Sequence, residues 1–157
     1  MSGFLASLLN DYAIELERYR HRPFLKATMA ACALAASASG EVTFAERIRV
    51  DQILATLDAL KVFDPHDGVE LFNEYAQGIL DAPRAGREHA LAAVQTVASD
   101  PQKAALLVRI CLAVAEARGE KDLIAQIEIV MLCSLLEVDP GVVGLYTDHT
   151  PTDILDS

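Results

Sequence analysis

Absences bound the chemistry first. The chain has no Cys-x-x-Cys pair, and its three cysteines, Cys32, Cys111 and Cys133, are an odd number set inside apolar runs. That argues against a disulfide framework or a cysteine-bound zinc, and for buried thiols in a reducing compartment. There is no Gly-rich phosphate loop, no nucleophile elbow and no His-Glu-x-x-His, so no motif marks a catalytic centre. Basic charge is scarce. Thirteen Lys and Arg against 23 Asp and Glu leave a net charge of −10, which repels a phosphate backbone and argues against general nucleic-acid binding. The longest uncharged stretch, residues 27–40, is too short to cross a bilayer. Residues 1–9 lack a basic start, and their apolar run is broken by Asn10 and Asp11, so no secretory signal is expected. A cytoplasmic location follows, with only peripheral membrane contact through a partner.

What is present favours helix. Apolar residues make up 52% of the 157, with alanine and leucine dominant and aromatics at 6%, a bias toward helix-forming side chains in a chain of one-domain size. Leu5, Leu8, Leu9, Tyr12, Leu16 and Tyr19 recur at helical spacing over residues 3–19. Pro23 suits the first position of a second helix, 23–39, which carries no charge after Lys26 and ends at Gly40. Thr43 and Glu46 form a capping box for a third helix with Phe44, Ile48, Leu54, Leu57 and Leu60 on one stripe. Asp64-Pro65 opens the fourth helix, to about residue 80. Asp81, Pro83 and Gly86 make a break before the fifth, 87–98. Asp100-Pro101 opens the sixth, to about residue 118. Asp122 is placed to cap the seventh, 123–136. No segment alternates with period two for long enough to make a strand. The expected fold is all-α, about seven helices in a compact bundle, one domain over residues 1–146 with a frayed acidic tail at 147–157.

Two stretches resemble each other at an offset of 79 residues: CALAASASGEVTFAERIRVDQIL from Cys32 and CLAVAEARGEKDLIAQIEIVMLC from Cys111. The offset pairs Cys32 with Cys111, Ala36 with Ala115, Gly40 with Gly119, Glu41 with Glu120, Ile48 with Ile127, and the cap residues Thr43 and Asp122. Each is a helix, a glycine stop and a second helix. The internal duplication predicts two antiparallel helix pairs about a pseudo-twofold axis, with the remaining helices covering the flanks.

At these turns the sequence resembles the TerB family of tellurite-resistance proteins, whose usual motif is Ala-Asp-Gly, a few residues, then Glu, between two helices and present twice. Residues 38–46, Ala-Ser-Gly-Glu-Val-Thr-Phe-Ala-Glu, follow that pattern. Arg18-Tyr19-Arg20 with Phe24, the run Leu60-Lys61-Val62-Phe63-Asp64, and Leu136-Glu137-Val138-Asp139-Pro140 extend the likeness over residues 16–144. The family Asp is Ser39 in the first copy and Arg118 in the second. The family Glu is kept as Glu46 and replaced by Ala125. The resemblance implies a non-enzymatic protein of tellurite resistance and stress response. Such a protein would act through partners, other tellurite-resistance-type proteins among them, at the inner face of the membrane.

Three groups of side chains are candidates for function. Glu41 and Glu46, with Glu120 and Asp122 from the second turn, are carboxylates that suit a divalent cation, a hard ion that takes several oxygen ligands. The alternative role for Thr43, Glu46 and Asp122 is helix capping alone. The basic end of the first helix, Arg18, Arg20, Arg22 and Lys26 with His21, suits either the helix dipole or an acidic partner or anionic lipid head groups, and is the expected docking surface. His66 and Glu70, four apart beside Asp58, Asp64, Asp67 and Glu74, could hold a divalent cation or merely start a solvated helix. Glu88-His89 lacks a third group to complete an acid–base site.

Overall fold

The computed structural model describes residues 2–119, 123–141 and 143. Among them are six α-helices, a short 3-10 turn and no strand: α1 (Ser2–Ser37), α2 (Phe44–Thr56), the 3-10 turn (Asp58–Leu60), α3 (Pro65–Asp81), α4 (Pro83–Gln95), α5 (Pro101–Glu116) and α6 (Leu123–Leu136). The all-α expectation holds. The expected break between a first and a second helix does not exist. Pro23 lies inside α1, which runs 36 residues without interruption. An interior proline removes one i→i−4 bond and crowds the carbonyl four residues back, here Tyr19. Tyr19 is exposed, so that carbonyl lies where the helix leaves the protein body and water is at hand.

The two halves of α1 meet different environments. From Phe24 to Ser37 only Lys26 escapes burial; Ala27, Ala30, Ala31, Ala33, Ala35 and Ala36 are at most 2% exposed. Alanine on every side lets neighbours approach closely, and α3, α4, α5 and α6 all pack against α1. Residues 3–16 are all exposed, including Phe4, Leu5, Leu8, Leu9 and Tyr12. The first half therefore covers no flank. It projects as an arm, about 30 Å long over residues 3–22 at the α-helical rise.

Local signals place the other helices. The Thr43 hydroxyl accepts from the Glu46 amide at 3.2 Å, and Glu46 reaches back to the Thr43 amide at 2.9 Å, completing the capping box of α2. Asp64 caps α3 through the His66 amide and Asp100 caps α5 through the Lys103 amide, each followed by proline. Gly40 and Gly119 end their helices at φ 97° and 84°, the left-handed region that favours glycine. Gly86 does not break a helix. It sits in the first turn of α4, where a β-carbon would come within 2.4 Å of the Gly78 carbonyl oxygen on α3.

The expected stripe of α2 is rotated. Phe44 is 78% exposed and Ile48 also faces outward, while Glu46, Val50, Ile53 and Leu54 point inward. The cause is the buried carboxylate. Once Glu46 turns in to cap the helix, the residues one and two turns on, Val50 and Ile53, follow it. On α6, Leu123, Ile124, Ile127 and Met131 are exposed, while Ala125, Ile129, Leu132, Cys133 and Leu136 enter the core. Residues 147–157 lie outside the described residues, as does Asp122, the expected cap of α6.

Candidate functional site

The region between the two glycine turns is held by charge. Glu46, 1% exposed, accepts from the Thr43 amide and hydroxyl, both at 2.9 Å, on one carboxylate oxygen. The same oxygen is 3.6 Å from Nε of Arg118, which comes from the second turn. A terminal nitrogen of Arg118 donates to the Glu41 carbonyl oxygen at 2.8 Å, so one guanidinium ties the second turn to the first. A parallel link lies beside it. Arg49 on α2 donates to the Ala113 carbonyl oxygen at 3.0 Å and stands 3.7 Å from the Glu116 carboxylate on α5. A buried carboxylate needs a compensating positive charge and donors, and here Arg118 and Thr43 supply them.

This arrangement bears on a divalent cation. Glu46 is committed to Thr43 and Arg118, and Glu41 is exposed and joins the turn through its carbonyl oxygen, which accepts from Arg118. A hard cation takes several oxygens converging on one point, and the described half of the turn region offers a guanidinium there instead. No group of three or more His, Cys, Asp or Glu side chains suited to a metal occurs among the described residues. Glu120 and Asp122 lie outside them. The described half does not fit the ion.

The second region is a cleft where the arm leaves the body. It is lined by Tyr19, Arg20, Arg22, Pro23 and Lys26 of α1 and by Ala93 and Thr96 at the end of α4, with a volume of about 500 Å³. Three of the four basic residues expected to dock a partner meet here. The fourth, Arg18, does not. Its Nε donates to the Val62 carbonyl oxygen at 2.8 Å and one terminal nitrogen pairs with Glu15 at 3.1 Å, so it fixes the direction of the arm. Arg20 pairs with Glu17 at 3.4 Å while most of its side chain stays in solvent. His21 also meets Glu17, at 3.1 Å. Sequence reasoning named the arginines from their clustering along α1. It missed Ala93 and Thr96, which no local signal connects to them.

The remaining candidates are engaged elsewhere. His66 pairs with Glu70 at 3.0 Å on the exposed start of α3. The His89 ring packs on Tyr75 with centroids 5.2 Å apart, and Glu88 faces Arg84 at 3.8 Å, so Glu88 and His89 act on separate partners. Glu128 of α6, also buried, is paired with Arg87 of α4. The thiols of Cys32, Cys111 and Cys133 are free and buried. Burial first, then a hydrogen bond with the Cys32 thiol, holds Cys111 well above the ordinary thiol range. Burial, aided by the Asp139 carboxylate, pushes Cys133 up to about 11. Neither Cys111 nor Cys133 is poised as a thiolate nucleophile. No described helix is long and apolar enough to cross a membrane.

Comparison with known proteins gives this geometry a family. No solved structure matches the chain. The sequence is 26% identical over 110 residues to a tellurium resistance protein TerB from Alcaligenes sp, an alignment that covers 70% of this chain and 90% of the relative. The family described as tellurite resistance protein TerB matches residues 25–143. That span holds both glycine turns and most of the buried core, and it begins after the arm and the Arg18–Phe24 segment. The chain belongs to the TerB family of tellurite-resistance proteins.

Proposed function

We propose that this protein serves tellurite resistance and the wider stress response as a non-enzymatic binding module, acting through protein partners at the inner face of the membrane. The observation that carries the reading is the basic cleft of Arg20, Arg22 and Lys26. It gathers positive charge into one concavity of a chain with a net charge of −10. Arg22 and Lys26 have no carboxylate partner among the described residues, so their charge is open to a ligand. Aromatic and aliphatic walls from Tyr19, Pro23 and Ala93 suit a partner that is both acidic and partly apolar. Family membership supports the cellular setting, and the thiols and carboxylates described above support a binding role over a catalytic one.

Charge reversal tests it. The Arg20→Glu, Arg22→Glu, Lys26→Glu triple variant keeps its helical circular dichroism but loses at least tenfold in the recovery of partners from native cells under tellurite stress. Tellurite tolerance in a complemented deletion strain falls with it. Unchanged recovery and unchanged tolerance would overturn the reading.

A further inference from the structure

The arm of α1 is a helix that no described residue covers. Phe4, Leu5, Leu8, Leu9, Tyr12, Leu16 and Tyr19 are all exposed, and a lone helix of this length is marginal in water unless its apolar face is packed. Leu5, Leu8, Tyr12, Leu16 and Tyr19 fall on one face, which runs directly into the cleft at Pro23 and Lys26. The arm also lies ahead of the family-matched residues 25–143, so the burial of the family core does not depend on it.

Charge along the edge of that face has an order. Asp11, Glu15, Arg18 and Arg22 stand at i, i+4, i+7 and i+11, one row of a helix reading acid, acid, base, base. Such a row is complementary to itself when two copies run antiparallel. The register that sets Asp11 against Arg22 of a second arm also sets Glu15 against Arg18, and symmetry repeats both pairs. In that register the stretch from Leu5 to Leu9 of one arm lies level with residues 24–28 of the other, beside the cleft. The cleft has about 500 Å³ to receive leucine side chains between Tyr19, Pro23 and Ala93.

From this row and cleft together, we infer that the protein forms a twofold homodimer by antiparallel pairing of its α1 arms, the leucine tip of each seated in the basic cleft of the other. This rests on the reading of the cleft as a docking surface for something acidic and partly apolar, and names a second copy as what fills it. The contact is isologous, with the same patch on both partners, so it closes at two chains. Glu15 already meets Arg18 within one arm at 3.1 Å. On pairing, that bond is shared across the axis.

Sedimentation equilibrium of the full chain decides it. Wild type at tens of micromolar sediments at twice its 17.0 kDa, and added salt raises the dissociation constant. Asp11→Arg with Glu15→Arg makes the row entirely basic; Arg18→Glu with Arg22→Glu makes it entirely acidic. Each variant alone has a dissociation constant at least tenfold weaker, and an equimolar mixture of the two recovers the dimer mass. Recovery on mixing also shows that both variants are folded. Leu8→Glu weakens the dimer to a similar degree. A wild type that stays monomeric, or a mixture that does, overturns the dimer. If that monomer still captures partners from stressed cells, or binds vesicles of one-third phosphatidylglycerol, the docking surface survives with a different occupant. If it does neither, both readings fall.

Discussion

At the scale of single residues, Arg118 decides what the turn region can be. It stands where the resemblance expects an aspartate, and it places a fixed positive charge against Glu46. Arg118→Met leaves that carboxylate buried with only the Thr43 donors. The expected loss is about 3 kcal/mol, the lower end for breaking one side of a buried ion pair, read from urea denaturation. Arg118→Met combined with Glu46→Met recovers most of it, since removing both charges removes the desolvation cost. Millimolar Ca²⁺, Mg²⁺, Mn²⁺ or Zn²⁺ leaves the melting temperature of the wild type unchanged, and a saturable rise would restore the cation reading. The thiols predict a pH response. Cys111 and Cys133 hold their protons more tightly folded than unfolded. The contribution of Cys133 is therefore complete below the ordinary thiol value of 9.0 and is lost as pH rises through about 11, and that of Cys111 is likewise lost only well above the ordinary value. Cys133→Ala flattens the fall in unfolding free energy over that interval. How legible such residues were in the sequence depended on distance along the chain. Thr43 and Glu46 were readable because a capping box closes within four residues. The bond from Arg118 to Glu41 spans 77 positions, and no local pattern encodes it. Arg18 clusters with Arg20 and Arg22 in sequence, yet it spends its donors on Val62, 44 positions away.

At the scale of helices, α4 approaches the backbone of α3 closely at Gly86. A β-carbon on Gly86 would sit 2.4–2.6 Å from the backbone of Gly78 and Ile79, atoms that cannot rotate aside. Gly86→Ala must push α4 away from α3, at about 3 kcal/mol, the upper range for overpacking. Gly78 is the control. Nothing lies within 4 Å of its would-be β-carbon, so Gly78→Ala raises stability by about 0.5–1 kcal/mol through helix propensity. Thermal denaturation of the pair tests both signs, and a stable Gly86→Ala would mean that the helices do not approach so closely. Helix starts were legible where a side-chain cap and a proline coincide, as at Asp64-Pro65 and Asp100-Pro101. Pro23 misled for a physical reason: proline is cheapest at the first position of a helix, and only the burial of Phe24, Leu25 and the alanines beyond shows that α1 continues through it. The face of α2 misled because hydrophobic spacing alone cannot anticipate an inward-turned Glu46.

At the scale of the whole molecule, the all-α class was legible from composition and glycine positions. Cys32 and Cys111, paired by the echo at offset 79, do meet where α1 packs on α5, but the expected two antiparallel pairs are not alike: α5 packs on α6, whereas α2 packs on α3 and α5 rather than on α1. The arm was legible as a helix but not as a projection, since an apolar stripe reads the same whether its cover lies in the same chain or in another. The central place of α1 has one more consequence, in the order in which the protein is made. The stretch from Phe24 to Ser37 is synthesised before the helices that enclose it, α3, α4, α5 and α6, the last of which ends at Leu136. Its alanine-rich surface has no complete enclosure until α6 has left the ribosome. Folding of this core thereby waits on a helix about a hundred residues downstream, and a ribosome stalled after α4 presents a sticky, half-wrapped helix to the cell's chaperones.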